Sequence, residues 1–373
     1  MITVREVEDR DLNPLAEFLP KGFPSTTQEF WVHTFDFWWT SNPAYAPQIP
    51  RGWVLENDTT LVGFIGNIPV KFLVFGAVGI AAASNSWYVD PSVRGIFSLR
   101  LFNEYLKQKG ISFFLFKEED DENVMNILSK YKFTEYILPP SRTEYSYIID
   151  KTKVEVVVTK FLFTRRLPKL HELPEFFKRL GLFIRAYLYQ KPVRRGTVSA
   201  GQDYITSLCT SCDEAFSRLW EPHQNSCGVS LSRDTKTLNW LYFSSARPYR
   251  SVVIQCHRLS DKTLAGYMVF DFVRLKMSNV QIMQLADICI KNDDPQVLAS
   301  LTSFAIDLGK QNNAALLSFW ANSPETETYF RSTFTMRRAA HHYRYIRFSD
   351  TVKMHSGRDT HGTVCLPMIY PPQ

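Results

Sequence analysis

WYVDPSVRGIFSL, residues Trp87 to Leu99, is the stretch on which the reading of this 373-residue chain turns. Trp87 and Val89 close an apolar run of strand character, Asp90-Pro91 breaks it, and Ser92 opens a helix carrying Leu99, Leu101, Phe102, Tyr105 and Leu106 before Gly110 stops it. A strand that turns through Arg94-Gly95 into a helix presents the helix's orphan N–H groups and positive dipole end at the turn. An anion is favoured there, and glycine lets the backbone approach it closely.

Upstream, Ile2 to Val7 reads as a strand, Asp9 to Asp11 as an acidic helix start, and the aromatic segment Phe30 to Trp39 as a helix ending at Asn42-Pro43. Gly52 to Leu55 and Leu61 to Ile65, separated by Asn57-Asp58, continue as Pro69 to Phe75 and Ile80 to Val89, an antiparallel meander. Downstream come strand Ile111 to Phe116, helix Glu122 to Lys130 and strand Tyr131 to Tyr136. A similar order recurs. Helices near Asp203 to Leu219 and at Thr235 to Tyr242 precede strands Ser251 to Gln255, Gly266 to Phe272 and Val280 to Ile290. Helix Pro295 to Leu308, strand Ala314 to Trp320, helix Pro324 to Arg331 and strand Tyr343 to Phe348 follow. Matching Val89 to Ile290 and Phe133 to Phe334 gives an offset of 201 residues in both cases, which suggests a tandem repeat.

Through Trp87 to Leu99 the sequence resembles the GNAT superfamily of acyl-CoA N-acyltransferases, whose Arg-Gly-x-Gly-x-Gly/Ala turn holds the cofactor diphosphate. Arg94 and Gly95 match that turn, Phe97 stands at its second glycine, and Ser98 is the small residue that follows. The resemblance implies an α/β (α+β) chain of two tandem GNAT-like domains, each a mixed, mainly antiparallel sheet flanked by helices. It implies acetyl-CoA or another acyl-CoA as cofactor, with Trp87 and Val89 lining the pantetheine arm and Arg94, Gly95, Ile96, Phe97, Ser98 and Leu99 around the diphosphate. Catalysis in the family joins a base to an acid, often a tyrosine. Glu56 and Asp90 are the carboxylates nearest the expected cleft and the candidate bases. In the first half the tyrosine position falls on Leu128, and Lys132 replaces the usual glycine. The second half instead shows Asn322, Tyr329 and Phe334 at the family's spacing, which makes Tyr329 the candidate acid. Its helix opening, Lys291 to Gln296, has no glycine and two carboxylates, which oppose a diphosphate.

Composition narrows the setting. With 45% hydrophobic and 21% charged residues the chain is globular and long enough for two domains. The net charge is +6, but Lys151 to Arg195 alone carries +9, so the rest is slightly acidic and a nucleic-acid coating surface, DNA included, is disfavoured. This gives an N-terminal domain at 1–150, a basic connector at 151–202 and a C-terminal domain at 203–373. Within the connector, Phe176, Leu180, Phe183, Ile184 and Tyr187 recur at helical spacing. The helix either packs between domains or offers a basic face to a membrane surface or an acidic partner. The N-terminus does not resemble a secretory signal, which places the protein in the cytoplasm. Leu61 to Ala83 is interrupted by Asn67, Pro69 and Lys71, so no transmembrane helix is expected. Cys209, Cys212, His223 and Cys227 have the residue types of a zinc site, yet Leu208, Cys212, Phe216 and Leu219 recur at helical spacing and favour thiols on a helix, with no metal. Asp271 and Asp287 sit within apolar strands and require partners or a role. His341 and His342 are adjacent and cannot share one face of a strand. The expected function is acyl-CoA-dependent transfer, most simply of acetyl, to the amine of a small molecule or sugar. The alternatives are a Fem-like transferase using aminoacyl-tRNA and an inactive GNAT-fold binding protein.

Overall fold

The computed structural model describes residues 1–74, 76–116, 122–137, 143–154, 203–223, 229–247, 250–275, 279–321, 323–334, 336–339, 343–349 and 364–365. Most of the basic connector, Cys227, Asn322, His341 and His342 lie outside them.

In chain order the first elements are β1 (Ile2–Glu6), α1 (Leu12–Phe18), α2 (Gln28–Phe35), β2 (Gly52–Asn57), β3 (Thr60–Val74), β4 (Ala77–Val89) and α3 (Ile96–Leu106). Next are β5 (Phe113–Phe116), α4 (Glu122–Lys130), β6 (Thr134–Ile137), β7 (Thr143–Ile148), β8 (Tyr204–Cys209), α5 (Glu214–Trp220), β9 (Val229–Leu231) and α6 (Thr235–Phe243). The chain continues with β10 (Ser251–Arg258), β11 (Leu264–Leu275), β12 (Val280–Ile290), α7 (Pro295–Gln311), β13 (Leu316–Trp320), α8 (Pro324–Thr333), β14 (Met336–Ala339), β15 (Tyr343–Phe348) and β16 (Val364–Cys365).

Two compact units form. One comprises Met1–Leu138, Glu221–Pro248 and His342–Tyr370, the other Pro139–Trp220, Tyr249–His341 and Pro371–Gln373. The first contains the sheet β1-β2-β3-β4-β5-β15-β6, with β9 added to β3 and β16 to β9; the second contains β8-β10-β11-β12-β13-β7-β14. Both are mixed and mainly antiparallel, with a parallel step at β4–β5 and its counterpart β12–β13, and the short pair β9–β16 of the first sheet is parallel as well. The 201-residue offset carries α3, β5, α4, β6 and β7 onto α7, β13, α8, β14 and β15 in turn. The repeat is therefore structural, and its last strands are exchanged. β15 lies between β5 and β6 of the first sheet, and β7 between β13 and β14 of the second. The division of the sequence at 150 does not anticipate this exchange.

Each sheet buries a face under its helices. In the first unit Phe102 of α3 is fully buried, stacked on Trp87 at 4.9 Å and edge-on to Phe116 at 5.4 Å and Tyr131 at 5.0 Å. Near Phe64 of β3, Phe35 stacks on Trp39 at 5.0 Å, and Trp39 Nε1 donates to the Asn67 carbonyl at 2.9 Å. In the second unit Phe319 of β13 stacks on Phe334 at 4.8 Å beneath α7 and α8. Such aromatic contacts add about 0.5–1.5 kcal/mol each beyond area burial.

Three local expectations are corrected. The helix expected at 203–219 is β8 followed by α5: Tyr204, Ile205 and Thr206 favour a strand, and pairing with β10 outweighs the helical spacing, leaving Leu208 48% exposed. Leu61 to Ile65 and Pro69 to Phe75 belong largely to one strand, β3, in which Pro69 lies opposite Ala82 and its carbonyl accepts from Asn42 Nδ2 at 2.8 Å. The helix expected from Ser92 begins at Ile96, for a reason that belongs to the site. The two strand carboxylates do have partners: Ser251 Oγ bonds Asp271, and Tyr267 Oη and the Ile288 N–H donate to Asp287 at 3.0 and 2.9 Å. Among the described residues no helix is long and apolar enough to cross a membrane.

Candidate acyl-donor site

β4 forms the wall of the site. On one edge it pairs with β3 as far as Val89 opposite Gly63, but the register slips between Phe64 and Gly66, a bulge at which Ser86 takes a φ of 55°. On the other edge it pairs with β5 only at Ala81, Ala82 and Ala83. The two strands part after Ala83, so the backbone of Ser84 to Val89 borders the opening without a strand partner on that side among the described residues. The bulge bends β4 just beyond the end of the parallel pairing, next to the polar run Ser84-Asn85-Ser86 of an otherwise apolar strand.

Beyond Val89 the turn is tightly organised. The Asp90 carboxylate accepts from the Ser92 N–H at 2.9 Å and Ser92 Oγ at 2.6 Å, and the Val93 N–H bonds the Asp90 carbonyl at 3.0 Å. These bonds hold Ser92 in a turn, so α3 starts four residues later. Arg94 Nε reaches back to the Val89 carbonyl at 2.8 Å, and its guanidinium lies over the Tyr88 ring at 5.8 Å. Gly95 is the N-cap residue, at φ 88° and ψ −114°, with no side chain capping the helix. Ile96 is 69% exposed, and Phe97 lies under the Arg100 guanidinium at 5.6 Å. Trp87, Val89 and Arg94 to Leu99 thus form one continuous strip from the parted edge to the uncapped helix start. Positive charge from Lys21 and Arg94 flanks Asp90.

The candidate bases are otherwise engaged. Glu56 takes Arg5 Nε at 2.9 Å and Nη2 at 3.1 Å, and Asp11 takes Arg5 Nη1 at 2.6 Å and Nη2 at 2.8 Å. The Arg5 bonds hold Glu56 below the usual carboxylate range; burial opposes ionisation of Asp11, and Arg5 overcomes it. Ser92 holds Asp90 low in the same way. A base tuned to neutral pH needs the opposite shift; the bonds seen are those of an ion-pair partner at Glu56 and of a turn residue at Asp90. Because both folded-state shifts on the Arg5 pair are downward, their stabilisation is present at neutral pH and lost as pH falls through the carboxylate range. Arg5→Met should cost about 2–3 kcal/mol at neutral pH. The deficit should shrink below about pH 4, as urea unfolding at both pH values would report.

The equivalent place in the second unit is filled by the chain itself. β12 pairs with β13 only at Met283 and Gln284, and just beyond, Trp320 Nε1 donates to the Leu285 carbonyl. Asp294 caps α7 through the Gln296 N–H at 2.8 Å and accepts from Tyr204 Oη at 2.8 Å, while Asp293 accepts from Ser323 Oγ at 2.8 Å. Two carboxylates stand where the first unit leaves an uncapped glycine. Tyr329, on α8, packs half-buried against the second core, and burial raises its phenol above the ordinary value. Leu128, at the first half's tyrosine position, is fully buried in the first core. Among the described residues no cluster of three His, Cys, Asp or Glu side chains could hold a metal ion.

No protein-family model and no curated protein matches the chain. Solved structures do. A GCN5-related N-acetyltransferase from Anabaena variabilis aligns with a TM-score of 0.56 at 9% identity, over 93% of this chain and 73% of that one. The N-myristoyltransferase of Saccharomyces cerevisiae with bound myristoyl-CoA aligns with a TM-score of 0.53 at 12% identity, over 98% of this chain and 89% of that one. The chain has the GNAT fold. The two units share one element order, and Trp87 to Leu99 was legible in the sequence as a strand, a turn and a helix. The bulge at Ser86 and the indole that closes the second copy were not.

Proposed function

We propose that the first unit binds an acyl-CoA and transfers its acyl group, acetyl in the simplest case, to the amine of a small molecule or sugar. The observation that carries this reading is the contrast between two copies of one fold. In the first, a parted strand edge leads to an uncapped helix start at Gly95; in the second, Trp320 and two aspartates fill the corresponding positions.

Each part of the first site has a physical counterpart in the donor. The pantetheine arm carries amides, and the free backbone edge of Ser84 to Val89 can pair with them as a strand would. A diphosphate is a dianion, and the first N–H groups of α3 with Lys21 and Arg94 nearby favour one. The exposed Ile96 and Phe97 offer apolar surface beside it. Acyl transfer then requires the amine to lose a proton and attack the thioester carbonyl, with the thiolate leaving protonated. Glu56 and Asp90, tied to Arg5 and Ser92, are not assigned to those proton transfers.

Titration calorimetry with acetyl-CoA and with a longer acyl-CoA tests the reading. The expected result is micromolar binding, about −8 kcal/mol, of at least one of them. Absence of binding to both would overturn the donor assignment.

A further inference from the structure

Cys209 and Cys212 stand apart from the proposed donor site and have no part in it. β8, the edge strand of the second sheet, ends at Cys209; Thr210 and Ser211 make the turn, and Cys212 leads into α5 two residues later. The spacing Cys-x2-Cys is thus spread over a strand-to-helix turn, and the two sulfurs touch, the Cys212 thiol donating a hydrogen bond to the sulfur of Cys209. The Cys209 thiol in turn donates to the Ser211 carbonyl at 2.8 Å, a bond it gives up when it ionises.

The two thiols differ in a way that suits successive roles. Cys209 is half-buried, within reach of a small reagent, whereas Cys212 is 5% exposed. The hydrogen bond from Cys212 brings the Cys209 thiol down to about 7, against roughly 8.5 for an unperturbed cysteine. The same bond, with burial, pushes Cys212 up and keeps its proton on. Cys256 offers no such chemistry: it is fully buried in β10, and burial pushes its thiol up to about 12. α5 in turn is held on the sheet by Phe216 against Tyr267 at 5.2 Å, so the Cys212 side of the pair rests on a packed element.

We propose that Cys209 and Cys212 are a reversible dithiol–disulfide pair that reacts with low-molecular-weight disulfides such as oxidised glutathione, Cys209 as the attacking thiol and Cys212 as the resolving one. The Cys209 thiolate attacks one sulfur of glutathione disulfide, that S–S bond breaks, and one glutathione leaves as a thiolate that takes a proton from water. Cys212 then gives its proton to water and attacks the Cys209 sulfur of the mixed disulfide. The second glutathione leaves, and a Cys209–Cys212 bond remains. Two protein thiols have been oxidised by two electrons, one glutathione disulfide has been reduced to two thiols, and the protons balance.

Both cysteines fall in one tryptic peptide, residues 196–218, which makes the test direct. The reduced full-length protein is exposed to oxidised glutathione near neutral pH, quenched with an alkylating agent and mapped by mass spectrometry. The expected peptide is lighter by two hydrogens, unalkylated and free of glutathione, and dithiothreitol restores both thiols. Cys212→Ser should stop at the mixed disulfide, with one glutathione on Cys209, and Cys209→Ser should leave Cys212 reduced. Wild-type protein that retains glutathione on Cys209, or that leaves both thiols unreacted, would overturn the proposal. So would protein that carries bound zinc as purified and reacts only after the metal is removed.

Discussion

A Gly95→Val protein should fold normally and lose acyl-CoA affinity by about 100-fold or more, some 3 kcal/mol, in titration calorimetry. The backbone at Gly95 has φ 88° and ψ −114°, which a β-branched residue does not adopt, so the substitution must redirect the turn between Arg94 and Ile96. The N–H groups of Ile96 to Ser98 would then no longer converge on the diphosphate. The fold should survive because a Cβ at this position meets no atom within 4 Å, leaving only backbone strain of about 1–3 kcal/mol. That is less than the roughly 5–15 kcal/mol of a typical domain. Gly110 supplies the control: it has φ 74° and equally open surroundings, but it lies past the far end of α3. Gly110→Val should show similar strain in thermal unfolding and bind the donor as the parent does. Equal loss of binding in both proteins, or none in Gly95→Val, would remove the diphosphate site from Gly95.

Much of the fold is written locally. The apolar run of β12 and the amphipathic α4 were readable to the residue, and the 201-residue offset read from Val89 and Phe133 recovers five successive elements. Local patterning fails where a polar side chain acts on the backbone at short range. Asp90 bonds Ser92 and moves a helix start by four residues, which also turns Gly95 from an early helical residue into the cap. It fails again where the decisive partner is distant in sequence. Glu56 reads as a cleft carboxylate until Arg5 and Asp11 are placed beside it, and Trp320 reads as the end of a strand until its indole reaches Leu285. The exchange of β7 and β15 is invisible for a further reason. TEYSYI and YRYIRF are both short and aromatic, with nothing in their pattern to specify which of two equivalent sheets each completes.

Removal of residues 342–373 should therefore abolish the cooperative unfolding of the first unit, although the first 138 residues, with most of its strands, remain. β15 occupies an interior place, pairing Tyr345 to Phe348 with Phe116 to Phe113 on one side and Tyr343 to Ile346 with Ile137 to Thr134 on the other. Ile346 and Phe348 are 1% and 7% exposed, and Phe348 packs on Phe113 at 5.7 Å. Losing their burial costs about 1.5–3 kcal/mol each. Each backbone group left unpaired and buried on β5 and β6 adds about 1–3 kcal/mol. The sum reaches the whole stability of an ordinary domain. β7 is the equivalent strand and could move into the gap, but it would vacate its place between β13 and β14, because the shortened chain has one such strand for two sheets. A shorter deletion, residues 350–373, removes only β16 among the described strands and should leave a cooperative transition. Urea titrations followed by near-ultraviolet circular dichroism distinguish the cases. A chain ending at residue 341 with two intact cooperative units would mean that β15 is an accessory to the first sheet; loss of one unit's transition would establish the exchanged strand as part of the structure that positions Trp87 to Leu99.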